Sequence, residues 1–208
     1  MCKRRILKGG GAVRSIAVSL LLSSSGAWAG GAKSAVGPLP GLSVYNLSSQ
    51  WRTEDGKPAQ LESLRGRPVV AAMIYLSCPD VCPLIVENMQ QIEAHLPKSV
   101  SSNVGFALFS FDTARDSPEK LKDYALARGL NLSRWSLFAG DEKAARELGA
   151  VLDVTYRKKS DGNFDHSIVI SLLDSEGVVV HRQVGLQADT SEFVAEIEEL
   201  GKRSGSWR

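Results

Sequence analysis

Two thiols stand four positions apart in the segment Tyr75-Leu76-Ser77-Cys78-Pro79-Asp80-Val81-Cys82-Pro83. An apolar run precedes them and a helical pattern follows. Residues at that separation on a helix share one face, about one turn apart. If residues 79 to 82 are helical or nearly so, both sulfurs point the same way. The free amides and positive dipole end of a helix start favour thiolate over thiol, and the thiolate is the form that attacks disulfides or binds metals. Redox and metal chemistry are therefore both open to Cys78 and Cys82. A structural disulfide is a poor use of the pair, because a bridge closing so short a loop constrains the unfolded chain little.

The spacing separates the two remaining chemistries. Dithiol oxidoreductases typically carry two residues between their cysteines, whereas three stand here, a separation comfortable for chelating one metal ion. Thiolate selects Cu(I) or zinc, and imidazole suits both. Two thiolates need at least one more ligand, and the chain offers His95, His166 and His181.

The elements that must position these residues follow from periodicity and turn chemistry. Glu54-Asp55-Gly56-Lys57-Pro58 reads as the turn of an N-terminal hairpin, and Leu61 to Leu64 as one helical turn. Val69 to Leu76 is an almost unbroken apolar run with β-branched and aromatic members, the mark of a strand buried on both faces. Leu84, Ile85, Met89, Ile92 and Leu96 recur at helical spacing from Pro83 until Pro97. Val104 to Phe111 reads as a second strand. Asp116-Ser117-Pro118-Glu119 opens a helix reaching about Arg128, with proline where a first-turn residue can lack its donor. Trp135 to Ala139 is expected as a strand, Asp141 to Gly149 as a helix and Val154 to Lys158 as a strand. After the turn Asp161-Gly162-Asn163, Ser167 to Leu173 and Val178 to Arg182 form a hairpin, and Thr190 to Leu200 a final helix.

Hairpin, βαβ, helical connection, ββ and helix, with a dithiol where the first core strand meets its helix, is an α/β order. It predicts a thioredoxin-like central mixed sheet flanked by helices, with an N-terminal β-hairpin extension and an insertion between its halves. Function in such sheets gathers at the carboxyl ends of the strands. His166 leads into the strand expected beside the Cys78 strand, so its loop should face the thiols. It is the candidate third ligand, and two thiolates with one imidazole make a low-coordinate site that copper tolerates in both oxidation states. Zinc usually takes a fourth ligand, and no glutamate is placed as a hydrolytic base. His95 at a helix end and His181 in a hairpin strand read as structural, and Met73 and Met89 as core. Trp51 and Trp135 read as core or surface anchors. Asp80 and Asp165 are candidates for supporting or partner-facing groups, and Asp112 for ordering its loop.

The chain has 208 residues, 43% hydrophobic and 23% charged, which fits one soluble globular domain with an adequate core. Lys3, Arg4, Arg5, Lys8 and Arg14 precede an uncharged apolar run, and Ala27-Trp28-Ala29 has the small-x-small form of a cleavage site. We expect a signal peptide over 1–29, cut after Ala29, a flexible linker over 30–40, the folded domain over 41–200 and a flexible tail over 201–208. An uncleaved anchor is the alternative, although the run dilutes into Ser23-Ser24-Ser25-Gly26 short of a full span. Removing 1–29 takes away five basic and no acidic side chains, so the formal charge of +2 becomes −3. No reason remains to expect nucleic-acid binding. Cys2 leaves with the signal, so Cys78 and Cys82 are the only cysteines of an exported chain.

Cys78-Pro79-Asp80-Val81-Cys82-Pro83, Asp112, the run Asp116-Ser117-Pro118-Glu119-Lys120-Leu121-Lys122-Asp123-Tyr124, and Asp165-His166-Ser167 together resemble the Sco/SenC family, over roughly residues 41 to 200. The resemblance implies a thioredoxin-like copper chaperone assisting assembly of the dinuclear copper centre of cytochrome c oxidase. It implies copper on Cys78, Cys82 and His166, and the copper-accepting oxidase subunit as partner, with other copper chaperones or thiol reductants as further partners. Thr113 replaces the family's proline after Asp112, and Ser77 stands where threonine or tyrosine is commoner; neither touches a ligand. An exported location, in the periplasm or on the outer face of the inner membrane, fits that role, and nothing demands more than a monomer. The competing reading is a thiol-disulfide reductase, with Cys78 and Cys82 as its redox-active, catalytic pair. A peroxidase would want one activated cysteine, and copper sensing through a partner is compatible with the same residues.

Overall fold

The structure is a computed structural model that describes residues 37–187 and 189–204. The expected signal peptide, its cleavage after Ala29, Cys2 and residues 30–36 of the expected linker lie outside the described residues. Residues 37 to 40 are tied to the body, since Arg65 donates to the Gly37 carbonyl at 3.0 Å and Ser43 N–H to the Pro40 carbonyl at 3.0 Å.

The N-terminal hairpin forms as read: β1 (Trp51–Thr53) pairs antiparallel with β2 (Pro58–Ala59) around Gly56, whose φ of 76° is left-handed. β1 also pairs antiparallel with β5 (Trp135–Gly140), seating Trp51 in the core at 1% exposure. β3 (Val69–Ile74) and β4 (Gly105–Ser110) are buried at every residue and run parallel, as β4 and β5 do. This is why their sequences are continuous apolar runs rather than alternations. β8 (Val169–Leu173) lies antiparallel on the other side of β3, and β9 (Val179–Val184) pairs with β8 at the edge. The sheet order is β2-β1-β5-β4-β3-β8-β9, the mixed sheet of a thioredoxin-like fold.

Helices follow the parallel strands. α1 (Val81–His95) begins two residues before the expected Pro83. A first-turn proline costs no hydrogen bond there, so it sits inside the helix rather than marking its start. Leu84, read as part of the core stripe, is 44% exposed, because the buried stripe is set by Cys82, Ile85, Val86, Met89 and Ile92. A short helical turn, α2 (Lys98–Ser101), leads into β4. α3 (Pro118–Ala127) is capped by the Ser117 hydroxyl, which accepts from Lys120 N–H, and α4 (Glu142–Leu152) by Asp141, which accepts from Ala144 N–H at 2.7 Å. α5 (Ser191–Ser204) extends four residues past Leu200 into the expected tail.

The largest departure from the expected order lies between α4 and β8. β6 (Tyr156–Lys158) pairs with β7 (Phe164–His166) as a separate two-stranded sheet turning at Gly162, whose φ is 83°. His166 is therefore the last residue of a hairpin strand rather than a loop residue. Ser167 closes the hairpin's base, donating its N–H to the Thr155 carbonyl at 2.9 Å and accepting from Thr155 N–H at 3.0 Å. Rings hold the hairpin to the sheet: Phe111 stacks on Tyr156 at 4.7 Å and meets Phe164 edge-on at 5.3 Å.

Candidate metal centre

Three elements meet at the carboxyl end of β3. The antiparallel β3–β8 register ends at Ala72↔Ile170, and beyond it the His166 ring lies 5.8 Å from the Tyr75 ring. The turn after β3 then brings Cys78 back over the start of α1, where its sulfur accepts from Cys82 N–H at 3.4 Å. Asp80, at the N-cap position, makes no side-chain capping bond, so the Cys78 sulfur serves that orphan amide instead.

Cys82 lies in the first turn of α1 at 1% exposure, and its sulfur accepts from Tyr75 N–H at 3.5 Å. The same sulfur is 3.5 Å from His166 Nε2. His166 Nδ1 is 2.9 Å from the Ser167 carbonyl, which only accepts, so Nδ1 carries a proton and Nε2 is the ring nitrogen left facing the sulfurs. The ligand atoms of Cys78, Cys82 and His166 all lie within 4.8 Å of one another. A metal bonded to sulfur at about 2.3 Å and to nitrogen at about 2.0 Å holds its donors roughly 3.5 to 4 Å apart, so the three need close by no more than about 1 Å to surround one ion. Among the described residues, no other cluster of His, Cys, Asp and Glu draws three ligand atoms together in this way.

The two thiols differ electrostatically. Burial pushes the Cys78 thiol up, but the amides of Cys82 and Asp80 and the side chains of His166 and Cys82 outweigh it and bring its pKa down to about 7. Burial pushes the Cys82 thiol well above its ordinary value, and a neighbouring Cys78 thiolate pushes it further. Both are free thiols here. In the reduced, metal-free protein, iodoacetamide should therefore modify Cys78 first, with a rate that rises through a midpoint near pH 7 while Cys82 stays protected. Peptide mapping after a short pulse checks this, and equal labelling of the two would contradict the asymmetry.

The supporting residues differ from those singled out by sequence. Asp165 is exposed and pairs with Arg157 at 3.1 Å, away from the imidazole, so it does not orient His166. Asp112 is buried and ion-pairs with Arg115, ordering the loop after β4 as expected. Asp116, read only as part of a helix opening, does more: its carboxylate accepts from Leu76 N–H at 3.0 Å and from the Ser110 hydroxyl at 2.6 Å. It thereby ties the Cys78 turn to the end of β4, and its burial raises its pKa above the ordinary carboxylate range. Tyr75, hidden in sequence as one more residue of an apolar run, packs edge-on against the His166 ring at 5.8 Å. A phenol amid apolar residues is the signal that could have marked Tyr75, whereas Asp116 stands in the polar run from Thr113 to Lys120 and carries no such mark. His95 bonds Thr190 at 2.9 Å and His181 packs on Phe193, while Met73, Met89 and Trp135 are core, so none joins the centre.

Fold and donor set together define a thioredoxin-like protein with a dithiol–histidine centre at the carboxyl end of its buried strand β3. The family model described as SCO1/SenC matches residues 45–202, and the chain belongs to that family. Among its relatives is a SCO1 protein homolog of Bacillus subtilis, 25% identical over 140 residues that make up 66% of this chain and 72% of the relative. A SCO1/SenC family lipoprotein of Bacillus anthracis superposes with a TM-score of 0.68 at 25% identity, covering 76% of this chain and 95% of that one. Yeast Sco1, solved with copper bound, superposes with a TM-score of 0.62 at 22% identity, covering 77% and 88%.

Proposed function

We propose that this protein binds one copper ion through Cys78, Cys82 and His166 and delivers it to the dinuclear copper centre of cytochrome c oxidase during assembly. The observation that carries the reading is the convergence of two sulfurs and an oriented imidazole Nε2 on one point, a soft, low-coordinate set suited to copper. The copper-bound yeast relative supports the metal, and the family resemblance supports the oxidase. Transfer would proceed by ligand exchange: an acceptor thiolate adds to the ion as one of the three ligands leaves. The accepting partner is the copper-binding oxidase subunit, met on the outer face of a membrane after export. A lipoprotein among the relatives fits that location. No helix among the described residues is long and apolar enough to cross a membrane.

The test is copper stoichiometry and spectrum of the reduced protein against its His166→Ala variant, loaded anaerobically in parallel. We expect one copper per chain and a sulfur-to-copper charge-transfer band in the Cu(II) form, lost with His166. Failure of the parent protein to hold copper while exchanging disulfides normally would instead favour a thiol-disulfide reductase. One observation supports that second reading: a Cys78 thiol near pH 7 beside a buried Cys82 is the asymmetry of an attacking and a resolving cysteine.

A further inference from the structure

Asp116 reaches the backbone of Cys78 through a single peptide plane. Its carboxylate oxygen Oδ2 accepts from Leu76 N–H at 3.0 Å. That amide and the Tyr75 carbonyl belong to one planar unit, and in a trans peptide the N–H and C=O point in opposite directions. The Tyr75 carbonyl in turn accepts from Cys78 N–H at 3.3 Å. Turning this peptide would break both bonds at once, so the carboxylate fixes the carbonyl that holds the amide of a ligand. The β3–β4 ladder ends at Ile74↔Ser110, two residues short of Leu76, and it is Asp116 that takes the amide there. Asp116 is itself held in place. It is 6% exposed, its Oδ2 also accepts from the Ser110 hydroxyl at 2.6 Å, and its N–H donates to the Asp112 carbonyl at 3.0 Å.

We infer that Asp116 is a positioning residue for the metal centre, whose Oδ2, acting through the Tyr75–Leu76 peptide, holds Cys78 where it binds copper together with Cys82 and His166. The inference rests on the copper reading above. What the residue supplies is an acceptor rather than a charge. Both of its side-chain bonds fall on one oxygen, so an amide oxygen in the same place can take them over. Without an acceptor there, Leu76 N–H loses its partner and the peptide that restrains Cys78 is free to turn.

Asp116→Ala should lower Cu(I) affinity about tenfold, the lower end of the range for groups that orient a metal ligand. In the metal-free protein, hydrogen exchange at the Leu76 and Cys78 amides, followed by NMR, should quicken. Asp116→Asn keeps the oxygen and gives up the charge, so it should retain parental affinity and slow exchange. Ser110→Ala removes the other donor to Asp116 but leaves the Leu76 bond, so its thermal midpoint should fall while its affinity holds. If Asp116→Ala does not fold, Asp116→Glu, which keeps the charge and carries the oxygen one methylene too far, should show the same loss of affinity. A merely structural role would lower the thermal midpoint of Asp116→Ala and leave its copper affinity and Cys78 exchange at parental values. That result, or equal losses of affinity in Asp116→Ala and Asp116→Asn, would overturn this inference and leave the copper reading standing. A parent protein that takes up no copper would overturn both.

Discussion

Cys82→Ser should abolish stable copper retention, lowering Cu(I) affinity by more than about a hundredfold while the fold survives. Outer partners of metal ligands cost 10 to 100-fold when removed, so loss of a ligand itself should exceed that range. Serine fills nearly the same space at a position 1% exposed, and its oxygen can still accept from Tyr75 N–H, so that buried amide keeps its partner. The hydroxyl does not ionise and is hard where Cu(I) is soft. Competition against a chromophoric Cu(I) chelator measures the change, with circular dichroism reporting the fold; affinity within a few-fold of the parent would remove Cys82 from the ligand set. The same titration has a pH signature. Both thiols must lose their protons to bind. Cys82, held protonated by burial, releases one across the neutral range, whereas Cys78, near 7, releases one only below its midpoint. Affinity should therefore rise with pH, more steeply below 7 than above it.

Phe111→Ala should be the most damaging substitution outside the ligands, destabilising the protein by about 3–5 kcal/mol, the usual cost of excavating a buried phenylalanine. Phe111 is 3% exposed and follows β4, with its N–H on the Ile74 carbonyl at 3.0 Å. Its ring stacks on Tyr156, meets Phe164 and Tyr75, and lies 5.2 Å from the His166 ring. The β6–β7 hairpin has no ladder to the main sheet, so these ring contacts hold it there. Losing them should free His166 from its register with the thiols, and copper affinity should fall as well. Chemical denaturation gives the stability term and the chelator competition the affinity term. A stable variant with parental affinity would show that the hairpin is held by other means.

The sequence by itself determined the strands whose burial is two-sided, since Val69–Ile74 and Gly105–Ser110 could carry so many apolar residues only in a covered parallel sheet. It also determined the thiol pair, because four positions of separation at a helix start leave little geometric freedom, and it marked His166 through topology and family resemblance. Helix α1 was legible but its start was not, because a first-turn proline is equally compatible with a helix beginning at Val81 or at Pro83. Tertiary structure alone decided that Leu84 faces outward, that Asp165 turns to Arg157, and that residues 156 to 166 leave the main sheet. Such outcomes depend on which of several equally good partners lies nearest once the chain is compact. Asp116 beneath the Cys78 turn, and Tyr75 against Cys82 and His166, belong to the same class. Each contact joins segments that only β-sheet pairing brings together, and one residue's type does not encode another segment's position.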